Sequence, residues 1–142
     1  FGRPLWVHRH GATRAFPAER LPEGHPFKAT GEPSLIPGSL GSDAYLGVAH
    51  SQNADTFHSV NHGSGVAETK KAASPGAGET QEAFARRMFQ QHHVRVFKGD
   101  LLDTVKADPS SYRDIEASID VVTREHMVRP VCSMSPMLSF KE

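Results

Sequence analysis

A chain of 142 residues is long enough for one domain with a real core. Lys plus Arg balance Asp plus Glu at 16 each, so net charge gives no support to a nucleic-acid partner, and any basic groove has to be local. The apolar runs are far too short to cross a membrane, and the single cysteine, Cys132, cannot form an internal disulfide, which fits a reducing cytoplasm.

The start, Phe1-Gly2-Arg3-Pro4, has no initiator Met and no signal-peptide pattern. The expectation is a truncated piece of a longer chain. Leu5-Trp6-Val7 reads as a buried strand running into His8. Residues 17–34 hold Pro17, Pro22, Gly24, Pro26, Gly31 and Pro33, which argues against a regular helix there. Leu35-Ile36 and Tyr45 to Ala49 read as strands on either side of a Pro-Gly-Ser turn, and Phe57 to Val60 as another short one. Val66 to Ala73 is a weak helix candidate, stopped by Ser74-Pro75-Gly76. Thr80 to Gln91 is a stronger one, with Thr80 as N-cap and Phe84, Met88 and Phe89 on one face. Val94 to Phe97 reads as a strand closed by Lys98-Gly99-Asp100. Ser111 to Glu125 is the clearest helix, with Ser111 and Asp114 forming a near capping box and Ile115, Ile119 and Val122 spaced by four and three. Arg129 to Phe140 is a final extended segment interrupted by Pro136. No repeat is visible, and the order of elements points to an α+β fold.

Three segments carry residues suited to chemistry. In Asn61-His62-Gly63-Ser64-Gly65, two glycines after a histidine let backbone N–H groups converge on an anion. If Val66 opens a helix, those groups also lie at its positive end. A histidine so placed can attack a phosphate and form a phosphoramidate. In His8-Arg9-His10-Gly11-Ala12-Thr13-Arg14, His8 stands between a strand and a glycine turn, a common place for a metal ligand, and Arg9 and Arg14 are able to clamp phosphate. In Pro37-Gly38-Ser39-Leu40-Gly41-Ser42, the turn exposes backbone donors and two hydroxyls. Alone, each of the three also reads as a plain turn carrying a satisfied polar residue.

Read together and in order, these segments resemble the C-terminal part of the RtcB family of GTP- and manganese-dependent RNA ligases. That family carries a His-Arg-Lys-Gly-Ala-Thr-Arg-Ala-like segment, a Pro-Gly-Ser-Met-Gly-Thr-like segment and a His-Gly-Ala-Gly-Arg-like loop. An Ala-Tyr-Lys-Asp-Ile-like segment and a terminal lysine follow. Here the last two correspond to Ser111-Tyr112-Arg113-Asp114-Ile115 and to Leu138-Ser139-Phe140-Lys141. Asn53-Ala54-Asp55-Thr56-Phe57 also looks like the family. The resemblance implies RtcB-like layered β-sheets with flanking helices, with residues 1–142 forming the C-terminal part of a single catalytic domain.

The resemblance also implies roles. His62 matches the histidine that is guanylylated by GTP. Gly63, Ser64 and Gly65 match the loop around it, and Pro37, Gly38, Ser39 and Leu40 match a segment that contacts the guanylate. Tyr112 and Lys141 match nucleotide contacts, and His8 matches a manganese ligand. Arg9, Arg14 and Lys70 are the expected RNA or phosphate contacts. The implied activity joins RNA 3′-phosphate or 2′,3′-cyclic phosphate ends to 5′-hydroxyl ends through a histidine–GMP intermediate, in tRNA splicing or RNA repair. Mn²⁺ and GTP are the expected cofactors. RNA ends, such as tRNA halves or broken RNA, are the expected partners, and an activating protein is left open.

Several positions depart from the pattern. Val66 replaces an arginine, Thr69-Lys70 stands where Ser-Arg is usual, His10 replaces a lysine and Ala44 replaces a serine. The family's Asp-x-x-Cys metal motif, and the Asn-His segment and further metal histidine that lie upstream of these motifs in the family, are not matched within these 142 residues. The isolated chain is therefore expected to be inactive or nearly so. Two other readings remain: a catalytically incomplete fragment that binds a nucleotide or a partner, and a metal-dependent phosphodiesterase that opens cyclic phosphates without ligating.

Overall fold

The computed structural model describes residues 3–67, 79–97 and 108–140. Its strands are β1 (Ala12–Arg14), β2 (Pro33–Ile36), β3 (Ala44–Ala49), β4 (Ser59–Asn61), β5 (Arg95–Phe97), β6 (Val128–Met134) and β7 (Leu138–Phe140). Its helices are α1 (Gln81–His92) and α2 (Ile115–Arg124), with single 3₁₀ turns at Ala18–Arg20, Asn53–Thr56 and Pro109–Ser111. Strands and helices do not alternate as βαβ units, so the fold is α+β.

The central sheet has the order β2-β3-β6, antiparallel throughout, with Leu35 opposite Leu46 and Leu46 opposite Cys132. Its alternation decides where the core lies, because side chains on a strand point to opposite faces in turn. Ile36, Ala49 and Val128 are buried, and they form one cluster with Ile115, Ile119 and Val122 of α2. The four-and-three spacing of those helix residues places them on one stripe, as the sequence predicts. Ala15 and Val60 extend this cluster to the β1–β4 pair, in which Ala12 faces Asn61 and Arg14 faces Ser59.

α1 begins where expected. Thr80 Oγ1 accepts from the Ala83 N–H at 3.2 Å. It ends at His93, whose φ of 57° lies in the left-handed region, and the Val94 N–H closes the end onto Met88 O at 3.4 Å. Phe84, Met88 and Val94 are fully buried, whereas Phe89 is about half exposed, 5.8 Å below the Arg95 guanidinium. β5 and β7 pair in parallel, and the rings of Phe97 and Phe140 stack at 4.8 Å.

Two expectations are corrected here and one lies partly outside the described residues. Leu5-Trp6-Val7 forms no strand, and Trp6 is 96% exposed. A strand needs a ladder partner, and the first ladder begins only at Ala12. α2 starts later than Ser111: residues Pro109–Ser111 form a 3₁₀ turn capped by Asp108, and Asp114 is the helix cap, its carboxylate accepting from the Glu116 N–H at 3.0 Å. At the other candidate helix, Val66 pairs with Tyr112 in an isolated bridge and Ala67 N–H donates to Ser111 O at 3.0 Å, so this stretch starts extended and not helical. Residues 68–73 lie outside the described residues.

Candidate active site

Four backbone hydrogen bonds bring the separated motifs together around His62. The His62 N–H donates to Gly11 O at 3.2 Å, and the Ser64 N–H to Pro37 O at 3.3 Å. The Arg113 N–H donates to Gly65 O at 2.9 Å, and the Ala67 N–H to Ser111 O at 3.0 Å. Backbone groups are obligatory donors and acceptors, so these bonds fix position regardless of side chain. The histidine loop is thus held from three sides: by the turn before β1, by the start of the Pro37–Ser42 turn, and by the segment that leads into α2.

The loop needs glycine at its centre. Gly63 has φ +152°, and a Cβ there would stand 3.2 Å from Pro37 O. The Pro37–Ser42 turn is tighter still: a Cβ on Gly38 would meet Asp43 O at 2.2 Å and Ser42 Oγ at 2.6 Å. That closeness lets Ser42 Oγ accept from the Ser39 N–H at 2.7 Å and contact Ser39 Oγ at 2.8 Å.

The result is a cleft of about 390 Å³. Pro37 and Gly38 line one side, His62, Gly63, Ser64 and Gly65 another, and Tyr112 a third. Gly11 and Val66 complete it. Seven of the residues expected to hold a nucleotide or react with it therefore share one cavity, although they come from three segments of sequence. Ser39 and Leu40 are on the same turn but do not line the cleft, because Ser39 turns its hydroxyl toward Ser42. His62 is exposed, with open access to its ring.

The anion-binding capacity of this loop differs from the expected one. Val66 is extended and does not open a helix, so among the described residues that follow it no helix dipole adds to the loop. The N–H groups of His62 and Ser64 are spent on Gly11 and Pro37. Among the described residues, those of Gly63 and Gly65 have no acceptor. Two side-chain atoms of the loop are buried without a hydrogen bond, Ser64 Oγ and Asn61 Oδ1. The donors this cleft offers an anion are therefore the Gly63 and Gly65 N–H groups, beside an exposed imidazole.

The basic residues are placed otherwise. Arg14 forms a two-pronged ion pair with Glu32, which also accepts from the Phe16 N–H at 2.9 Å. Burial pushes the Glu32 carboxyl up, but the Arg14 and Phe16 hydrogen bonds outweigh it, leaving the group below the ordinary carboxylate range. Arg9 donates to Ser59 Oγ at 2.8 Å and to Phe57 O at 3.0 Å, tying the N-terminal segment to β4. His8 is exposed. Among the described residues, no three of His, Cys, Asp and Glu gather into a metal-binding group, so these residues do not by themselves fit a manganese centre. Lys70 and Lys141 lie outside the described residues.

The residues that do the assembling carry no side-chain signature of that role. Gly11 matters through its carbonyl oxygen, for which no side-chain pattern exists. Asn61 braces the loop by donating to Gly63 O at 2.8 Å. Asn53, fully buried, donates to Ala15 O at 2.7 Å and meets His58 Nδ1 at 2.6 Å, which fixes the turn before β4. Burial holds the His58 imidazole below its ordinary pKa, assisted by the Arg20 and Arg9 charges.

The family model described as tRNA-splicing ligase RtcB matches residues 1–142. The chain is 34% identical over 137 residues to the tRNA-splicing ligase RtcB of Thermococcus kodakarensis, covering 92% of this chain and 27% of that protein. It is 33% identical over 138 residues to that of Archaeoglobus fulgidus, covering 94% of this chain and 27% of the relative. The RNA-splicing ligase RtcB of Mycobacterium bovis is 28% identical over 136 residues, covering 95% and 30%. The chain thus spans less than a third of the length of these relatives. It belongs to the tRNA-splicing ligase RtcB family.

Proposed function

We propose that this chain is the guanylate-accepting part of a GTP-dependent RNA ligase, the C-terminal portion of a single RtcB-like catalytic domain built of layered sheets. The observation that carries the reading is the backbone assembly of three motif segments into one cleft beside an exposed His62. A ring nitrogen of His62 attacks the α-phosphorus of GTP, the P–N bond forms and pyrophosphate departs. An RNA 3′-phosphate oxygen then attacks the same phosphorus and frees the histidine. Finally a 5′-hydroxyl attacks the activated RNA phosphate, GMP leaves, and the strand is sealed. Ends bearing a 2′,3′-cyclic phosphate are opened first. The substrates are RNA ends, from tRNA splicing or RNA repair, in a cytoplasmic setting that suits the lone thiol of Cys132.

In this reading Pro37, Gly38 and Tyr112 shape the nucleotide side of the cleft, while Ser39 and Leu40 act through the turn. Gly63 and Gly65 supply N–H groups to the phosphate, and Lys141 is a further nucleotide contact. Lys70 is the remaining phosphate contact of this reading, while Arg9 and Arg14 act as supports, held on Ser59 and Glu32. Manganese would neutralise the triphosphate. His8 is this chain's candidate ligand, and the remaining donors would come from outside the described residues. An activating protein is compatible with this scheme but is not required by it.

The second reading, a nucleotide- or partner-binding fragment without turnover, is favoured by one observation: the described residues gather no metal donor set. Intact-mass spectrometry after incubation with GTP and Mn²⁺ separates the two. An added GMP that disappears in His62→Ala supports the ligase reading. A chain that binds GMP but never gains its mass supports the second.

A further inference from the structure

The loop after His62 is short of positive charge. Val66 stands where the RtcB-like loop pattern has arginine, and Arg9 and Arg14 are held on Ser59 and Glu32. The free N–H groups of Gly63 and Gly65 carry only partial charges. An anion at the loop therefore needs a full cation from somewhere else in the fold.

Arg113 stands in the right place. Its N–H donates to Gly65 O at 2.9 Å, which fixes its backbone against the last glycine of the loop. Its side chain takes the same direction: Arg113 Cδ lies 4.0 Å from the point that a Cβ on Gly65 would occupy, so the aliphatic arm runs alongside the glycine. Together with Gly63, Ser64 and Gly65 it lines a second groove, of about 660 Å³, that shares the loop with the nucleotide cleft. Arg113 is exposed, and among the described residues its guanidinium has neither a hydrogen bond nor a carboxylate partner. The carboxylate next to it in sequence, Asp114, is engaged as the cap of α2, accepting from the Glu116 N–H at 3.0 Å. Arg87 and Arg124, by contrast, are committed to ion pairs.

We propose that Arg113 is the phosphate-binding cation of the His62 loop, acting beside the free Gly65 N–H. The assignment rests on the ligase reading given above. It moves the loop's charge from the position of Val66 to the segment that leads into α2. The RtcB-like pattern has lysine where this chain has Arg113, so a planar fork that grips two phosphate oxygens replaces a point charge. The group taken is a phosphate ester, either of the guanine nucleotide or of the RNA backbone.

Arg113→Gln removes the charge but keeps the backbone bond to Gly65 O, so the melting temperature should match wild type. Isothermal titration of both proteins with GTP, guanosine and a short oligoribonucleotide needs no turnover. The variant should lose about tenfold in affinity for GTP if the phosphate is the nucleotide's, or for the oligoribonucleotide if it is the RNA's, the scale of one charge-assisted pair. In the second case the salt dependence of binding should also fall by about one phosphate contact. Arg113→Lys should fall between the two proteins, and guanosine should bind all three alike. Wild-type affinity of Arg113→Gln for both phosphate-bearing probes, an equal loss for guanosine, or failure of the wild-type chain to bind either phosphate-bearing probe overturns the proposal. Guanylylation of His62 with affinities that ignore the Arg113 side chain leaves the ligase reading standing and overturns this assignment alone.

Discussion

Replacing Ser64 by alanine gives the sharpest stability prediction, because its sign is unusual. The Ser64 hydroxyl is buried and unpaired. An unsatisfied buried polar group costs roughly 1–3 kcal/mol relative to hydration. Removing the oxygen also forfeits a handful of dispersion contacts at about 0.1–0.2 kcal/mol each, roughly half a kcal/mol together. The balance is a gain of about 1–2 kcal/mol for Ser64→Ala. In a domain of this size that raises the melting temperature by about 3–6 °C. A hydrogen-bonded buried serine would show the reverse, a loss of about 1 kcal/mol. Thermal denaturation followed by circular dichroism reads the difference directly. A melting temperature lowered by about 3 °C or more would refute the reasoning, because it would mean that the hydroxyl is already satisfied in the free protein.

Gly38→Ala should cost roughly 1–3 kcal/mol, measured as a shift in the urea midpoint, because the new Cβ meets the Asp43 carbonyl oxygen, which cannot swing aside as a side chain does. Glu32→Ala leaves Arg14 unpaired and removes the acceptor for the Phe16 N–H; since the Arg14 side chain is half exposed, roughly 2–3 kcal/mol is expected. The folded-state pKa of Glu32 lies below its unfolded value, so its contribution is fully present above about pH 4.5 and is lost as pH falls through the lower folded value. Acid unfolding curves of wild type and Glu32→Gln should therefore converge at low pH. Asp108→Ala removes the cap of the 3₁₀ turn and one partner of Arg87, which sits 2.7 Å away, and should lower the urea midpoint as much as Glu32→Ala does.

The sequence carried the elements whose side chains alternate or recur with helical spacing. Ile115, Ile119 and Val122 mark the buried stripe of α2, Thr80 marks the start of α1, and Leu35-Ile36 with Tyr45 to Ala49 mark the central hairpin. It misled where a local pattern depends on a distant partner. Leu5-Trp6-Val7 looks like a buried strand, yet its side chains are exposed and it has no ladder. Ser111 looks like a cap, but Asp114 is better placed to accept from Glu116. At the candidate site the motif residues were legible, whereas their assembly was not. It runs through the backbone of Gly11, Pro37 and Gly65, and carbonyl oxygens leave no mark in a sequence. The orphaned Ser64 hydroxyl was equally invisible, because satisfaction is a property of three-dimensional neighbours.

We infer that the cleft beside His62 is a guanine-nucleotide pocket. The most direct measurement is a ¹H–¹⁵N NMR titration of the chain with GMP, which needs no turnover. Shifts should concentrate at the amides of Gly11, Gly38, His62 to Val66 and Tyr112, with those of α1 unmoved. Saturating GMP that leaves these amides in place, or shifts that cluster on α1 and β5, would contradict it.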